Sequence, residues 1–429
     1  MMIKLYRIAT IIAGPLIKVY LNRRLAQGKE HPTRFPERLG HTSTLRPQGK
    51  LIWIHGASVG EAISILTVIE RLQKLRPEFL IMVTTGTVTS AALLKTRLPE
   101  NVIHQFIVVD RPEYVKRFLG HWQPDLVLWV ESEFWPNLLM QTAGLKIPLV
   151  LINGRVSDKS FKSWQRFMPM IQKILNCFTL VMGQSDIDTD RLKTLGANQV
   201  KSLGNLKDAA PALSVDETNL SALKKNIGHR SLWLAASTHP GEEQLIARVH
   251  QIIAKKIPDL LTIIVPRHAE RGPDIFDVIN QMDLTINMRS KQQSITPETD
   301  IYLADTMGEL GIFYRLSNIV FMGKSLIHQG GQNPLEAIKL GKAVVLGPNM
   351  DNFKSTAERL IYAGAAVTVK DKDALAAKVE DLLSDHKALS KMMGAASLLA
   401  QTENHILENV VDEILSVYDQ HQTGKSLGA

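Results

Sequence analysis

Short runs of apolar residues alternate with amphipathic stretches along most of the chain. Leu51 to His55, Leu80 to Thr85, Val102 to Val108, Leu126 to Val130, Leu149 to Ile152 and Leu180 to Met182 are too short for helices and rich in β-branched side chains. They read as buried strands. Segments such as Glu61 to Leu75 and Thr89 to Leu98 between them have helical spacing. A second series runs through Leu232 to Ala236, Leu261 to Val265, Leu284 to Asn287, Ile301 to Ala304, Ile319 to Met322, Ala343 to Leu346 and Ala366 to Val369. Strands apolar on both faces and alternating with helices predict parallel sheets with right-handed crossovers. Residues 206–230 turn polar and mixed, with Lys207-Asp208-Ala209-Ala210-Pro211 at their start. The pattern therefore predicts an α/β protein of two doubly wound, Rossmann-like domains, 25–205 and 231–429, joined by a linker at 206–230 and facing each other across a cleft. Ligands of such sheets bind beyond the carboxyl ends of the strands.

Residues 1–24 follow a different pattern. The stretch is apolar but carries Lys4, Arg7 and Lys18, and its longest uncharged run, Ile8 to Ile17, is short of the ~20 residues a bilayer span needs. At ~100° per residue the three cations share one face, opposite Leu5, Ala9, Ile12, Leu16 and Tyr20. This predicts a helix lying in a membrane interface, with Arg23 and Arg24 meeting anionic headgroups. A short tilted anchor and a helix packed on the domain are the alternatives. No small-residue cleavage site follows, which argues against a removable signal peptide.

Composition narrows the partners. A length of 429 residues suits two domains, and 45% hydrophobic with 21% charged residues is a globular profile. The single cysteine, Cys177, excludes an internal disulfide and a cysteine-rich metal site. A formal charge of +8 suggests an anionic partner. With 6% aromatics and no basic helix interleaved with them, nucleic acid is the least supported candidate. The thirteen histidines do not pair at metal-ligand spacing with Cys, so no metal and no cofactor are expected.

The strand ends hold the candidate chemistry. Gly330-Gly331-Gln332-Asn333-Pro334-Leu335-Glu336 follows a strand and opens a helix, which suits an anion near the free N–H groups and a sugar hydroxyl at Glu336. A plain capping box of Asn333 and Glu336 explains the same residues. Ser58 and Glu61 in Gly56-Ala57-Ser58-Val59-Gly60-Glu61 likewise fit a capping box, although a carboxylate in a glycine-lined loop also suits a general base. Glu131-Ser132-Glu133-Phe134-Trp135-Pro136-Asn137 sets two carboxylates at a buried strand's end, where one of them needs a tight partner or a shifted pKa. The second series delivers Ser237-Thr238-His239, Arg267-His268 and Met307-Gly308-Glu309 to one rim, with Arg267 offering a bidentate fork for phosphate. The division suggests a nucleotide donor held by the C-terminal half and an acceptor held by the N-terminal half.

These motifs, together with Gly204-Asn205-Leu206-Lys207, stand in the order seen in the Kdo (3-deoxy-D-manno-octulosonic acid) transferases of Gram-negative bacteria, which the chain resembles from its N-terminus to beyond Lys370. The resemblance implies a GT-B glycosyltransferase that moves Kdo from CMP-Kdo to the lipid A precursor (lipid IVA) with inversion. It implies attachment to the cytoplasmic face of the inner membrane and no metal in sugar transfer. It further implies Glu61 as the base that deprotonates the acceptor hydroxyl and Glu131 as a second essential carboxylate. Arg267, His268, Met307, Gly308, Glu309, Asn333, Pro334, Leu335 and Glu336 match CMP-binding elements, with Ser58, Gly60, Ser237, Thr238, His239, Gly330 and Gly331 in loops near acceptor or donor sugar. Gln332 departs from the family's Gly-Gly-His-Asn form, but glutamine can still donate a hydrogen bond. A GT-B transferase for another nucleotide sugar, or a membrane-bound binding protein without catalysis, are the competing readings.

Overall fold

The computed structural model describes residues 2–57, 61, 64–208 and 213–427. They form two compact units, Met1–Ala210 with Glu403–Ala429, and Pro211–Thr402.

The first unit is built on seven strands: β1 (Lys50–His55), β2 (Phe79–Thr85), β3 (Ile103–Phe106), β4 (Leu126–Val130), β5 (Leu149–Gly154), β6 (Leu180–Gly183) and β7 (Val200–Ser202). They lie in the order β3-β2-β1-β4-β5-β6-β7, and every pairing is parallel. Alternation along β1 sends Ile52 and Ile54 into one apolar layer with Val68 and Leu72, and Leu51 and Trp53 into the other with Phe118 and Ile171. Burial on both faces is what the unbroken apolar run requires. The edge strand β7 escaped the sequence pattern because Val200-Lys201-Ser202 is short and partly exposed.

The second unit repeats the design with β8 (Leu232–Thr238), β9 (Leu261–Pro266), β10 (Ile286–Met288), β11 (Ile301–Leu303), β12 (Ile319–Met322), β13 (Ala343–Leu346) and β14 (Ala366–Thr368). Their order is β10-β11-β9-β8-β12-β13-β14, again all parallel. In each sheet the order reverses beside the first strand, between β1 and β4 and between β8 and β12. Such a reversal opens a crevice at the carboxyl edge.

Two features differ from the sequence expectation. The stretch 206–230 contains a helix, Glu217–Ile227, capped by Asp216 and burying Leu220, Leu223 and Ile227 in the second unit's core. The second unit also ends well before 429. The long C-terminal helix, His386–Leu427, inserts Ile406, Val410, Val411 and Ile414 among Ile52, Ile54 and Leu72 of the first unit. That spacing of apolar side chains is one helical face, and it completes a layer that the preceding crossover helix leaves open.

The N-terminal stretch forms two helices, Met2–Ile12 and Gly14–Ala26, with the break near Pro15, a residue that cannot continue the backbone ladder. One side docks on the first unit. Tyr6 donates to Asp110 at 2.9 Å, Asn137 donates to Thr10 at 3.1 Å, and Gly14 lies against the Arg111 guanidinium. Burial is the main cause raising the Asp110 pKa, against hydrogen bonds from Asn137, Tyr6 and Leu138 that lower it. The other side leaves Leu5, Ile8, Ile12, Leu16, Val19 and Tyr20 exposed, Leu16 at 73%. Among the described residues no helix is long and apolar enough to cross a membrane.

Because Ile414 is fully buried against the first sheet, Ile414→Ala is expected to destabilise the protein by about 2–5 kcal/mol. Urea unfolding measures this, and an unchanged midpoint would show that the C-terminal helix does not belong to that core.

Candidate functional site

In the first unit, the acidic loops meet where the strand order reverses. Glu61 is buried, and its Oε2 accepts the Ala57 N–H at 2.7 Å. Ser58 and Gly60 lie outside the described residues. Glu131 follows β4 in a left-handed conformation, φ 57°, with its N–H donated to the Ile152 carbonyl. A non-glycine residue held there is strained, and strain of this kind clusters at functional sites.

Lys207, which the sequence reading quoted in a motif but gave no role, donates to Glu131 Oε1 at 2.6 Å. The loop that delivers it is built with care. Gly204 sits at φ 92°, where a Cβ would meet Ile406 at 2.7 Å. The buried Asn153, itself at φ 55°, accepts the Leu206 N–H at 3.0 Å, and Asn205 accepts the Lys207 N–H. Glu133 completes the acidic group. Partial burial first, then the charges of Glu61 and Glu131, raise its pKa, so the three carboxylates share one field. Its carbonyl accepts the Trp129 indole N–H at 2.8 Å.

In the second unit, a cavity of about 210 Å³ gathers Ser237, Arg267, Met307, Gly308 and Glu336 with Leu213 and Ser214. Sequence reading had placed the last two in a linker. Glu336 has its pKa raised by burial, with the charges of Arg267 and Lys339 working in the opposite direction. A carboxylate partly withdrawn from water beside a guanidinium can accept hydrogen bonds from a diol while the guanidinium holds an anion. Ser237, at φ 57°, ends β8 in another strained turn. Thr238 is buried and donates to Glu243, which a bidentate pair with Arg271 holds at 2.8 and 3.0 Å.

Several expected site residues stand elsewhere. Glu309 turns to Arg289, at 2.6 and 3.1 Å, and to Thr306; the Arg289 hydrogen bond is the main cause lowering its pKa. The Leu335 side chain is buried in the core, which leaves only its backbone for a ligand. His268 is exposed and 3.5 Å from Glu270, its ring 6.1 Å from that of His239. The helix after Gly331 is a single turn, Leu335–Ile338, with Asn333 accepting the Leu335 N–H at 3.1 Å. So short a helix adds little dipole, and the cationic side chains carry the attraction for an anion. Gly330 and Gly331, at φ 110° and 66°, are demanded by packing, since Cβ atoms there would strike Asn352 and Met350 at 2.6 and 2.4 Å.

Residues 33–210 match the family described as 3-Deoxy-D-manno-octulosonic-acid transferase (kdotransferase), and residues 230–397 match Glycosyl transferases group 1. The chain is 36% identical over 397 residues to the probable mitochondrial 3-deoxy-D-manno-octulosonic acid transferase of Arabidopsis thaliana, covering 90% of this chain and 89% of that one. It is 33% identical over 416 residues to the 3-deoxy-D-manno-octulosonic acid transferase of Rickettsia bellii, covering 97% and 99%. Among solved structures, a putative UDP-N-acetylglucosamine 2-epimerase from Listeria monocytogenes superposes with a TM-score of 0.56 at 16% identity, covering 87% of this chain and 98% of that one. That likeness is one of fold.

Proposed function

The chain belongs to the Kdo transferase family, and from that premise we propose that it transfers Kdo from CMP-Kdo to the lipid A precursor, lipid IVA, with inversion at the anomeric carbon. The observation that carries the reading is the division of charge: a carboxylate group with one lysine on the first unit's rim, and Arg267 beside a half-buried carboxylate on the second's.

In this mechanism Arg267 holds the phosphate of CMP, and Glu336 accepts hydrogen bonds from the ribose. The acceptor's primary hydroxyl binds at the first unit's rim. Glu61 takes its proton as the oxygen forms a bond to the anomeric carbon and the bond from that carbon to the CMP phosphate breaks. Glu131 and Lys207 form an ion pair beside the base. Glu131 holds the Lys207 ammonium in place at 2.6 Å, so one cation stands within the carboxylate group.

The N-terminal helices support a site of action at a membrane surface. Their exposed apolar row and the exposed Lys4, Arg7 and Lys18 suit attachment to anionic lipid at the cytoplasmic face of the inner membrane, where an acylated, phosphorylated acceptor also resides.

Three measurements test the reading. Glu61→Gln keeps an acceptor for the Ala57 N–H, so thermal stability should hardly move while turnover of CMP-Kdo and lipid IVA falls by ~10²-fold or more; near-normal turnover removes Glu61 from the role of base. Arg267→Ala is expected to weaken CMP binding by about tenfold or more, through loss of charge-assisted hydrogen bonds. Unchanged affinity in calorimetry would place the phosphate elsewhere. Finally, Ile12→Glu with Leu16→Glu alters only exposed positions, so the fold should survive while binding to phosphatidylglycerol vesicles drops by about tenfold. Equal sedimentation with vesicles would locate attachment on another surface.

A further inference from the structure

We propose that Lys324 and His239 form a subsite for the carboxylate of an acidic donor sugar, a role that rests on the donor being the sugar nucleotide argued above. The two side chains come from the loops after β12 and β8, the pair of strands between which the second sheet reverses. Gly323 makes the approach possible. A Cβ there would meet the Ser237 carbonyl oxygen at 2.3 Å, so the two loops lie in direct backbone contact.

The backbone holds Lys324 firmly. Its N–H donates to Glu242 Oε2 at 2.7 Å and its carbonyl accepts the Gly331 N–H at 3.0 Å, with φ at 59°. Glycine would satisfy that conformation without strain. The strained turn sets the Lys324 ammonium beside the sheet's reversal, and strain of this kind clusters at functional sites. The amine lies beside Gly330, 3.6 Å from where a Cβ would stand.

The charges around it are unbalanced. Among the described residues Lys324 makes no ion pair. Of the acids close by, Glu242 uses Oε2 to accept the backbone N–H groups of His239 and Lys324, and Glu243 is held by Arg271 and Thr238. The His239 ring lies 6.1 Å from the rings of both His268 and His328. Burial lowers its pKa most, and the positive charges of Lys324, His328 and His268 lower it further, against Glu243 alone. Lys324 thus brings a positive charge with no ion pair among the described residues to the loop beside His239, a place for an anion.

Hydrogen bonding sets the imidazole for this task. Gln332 Nε2 stands 2.9 Å from His239 Nε2. An amide N–H can only donate, so Nε2 accepts and the neutral ring carries its proton on Nδ1, free to donate to a carboxylate oxygen. A metal does not fit the group. His328 Nε2 is given to the Pro240 carbonyl at 2.7 Å, and among the described residues no set of three ligating side chains converges.

The test separates recognition of the sugar from recognition of the nucleotide. With the full-length protein, Lys324→Met is expected to raise KM for freshly made CMP-Kdo by about tenfold or more, as loss of a charge-assisted hydrogen bond would. Its Kd for CMP in calorimetry should stay within about twofold, because CMP lacks the carboxylate. Lys324→Arg should recover most of the lost KM. Equal weakening of CMP and CMP-Kdo, or no weakening of either, overturns the subsite. Wild-type protein that neither binds nor turns over CMP-Kdo overturns the donor assignment and this subsite with it. A subsite failure by itself leaves wild-type transfer intact.

Discussion

Parallel pairing of one central strand with two neighbours, in each unit, is the constraint on which the rest depends. β1 pairs with β2 and β4, and β8 pairs with β9 and β12, all in the same direction. Because the strands are parallel, every loop at their carboxyl ends emerges on one edge. Because the chain crosses from one side of the central strand to the other, the loops on either side of the reversal diverge and leave a crevice. The loop of Glu61, the turn of Glu131, the loop of Lys324 and the strained turn at Ser237 all stand at such reversals. Their positions are properties of the topology before they are properties of any side chain.

That topology is held by burial on both sheet faces and by a polar arrangement that occurs twice. In the first unit Trp53 donates to Thr84 at 2.8 Å, and His55 meets the same hydroxyl at 2.9 Å. In the second, Trp233 donates to Thr262 at 2.7 Å and His250 meets that hydroxyl at 2.9 Å. Burial lowers the pKa of both histidines, His55 to about 3, so each ring is neutral in the folded protein at ordinary pH. A polar group inside an apolar layer is stable only with its partner in place. Each trio therefore fixes two adjacent strands in one register, the first near the carboxyl ends of β1 and β2 and the second near the amino ends of β8 and β9.

The two rims differ in electrostatic character, and the difference matches the chemistry proposed for them. On the first unit burial, then the charges of Glu61 and Glu131, raise the pKa of Glu133, so negative charge gathers on the rim where the proposed base stands. On the second unit Arg267 and Lys324 supply positive charge for the proposed phosphate and carboxylate. The Glu131–Lys207 pair is the exception, placing a cation within the acidic group. It shows how a backbone held at φ 57° can aim a carboxylate at a lysine that lies 76 residues away in sequence.

Much of this was legible in the chain itself. Thirteen of the fourteen strands are visible as apolar runs, because a strand covered on both faces must be apolar at nearly every position. The glycines, the acids after β1 and β4, and Arg267 after β9 were marked by their place at strand ends. The sequence did not reveal that Ile406 to Ile414 belong to the first unit, because an amphipathic helix shows that it has a partner and not which one. It named Glu309 for a ligand, whereas Arg289 binds that carboxylate in the folded chain. Lys324 was not singled out, and Lys207 and His239 stood in motifs with no partner assigned, since their neighbours come from distant loops. Local pattern determined the strands, the helices and the edge where chemistry resides. Only the tertiary structure decided which charges face one another, because Coulomb and hydrogen-bond energies depend on distance through space, which separation along the chain does not determine.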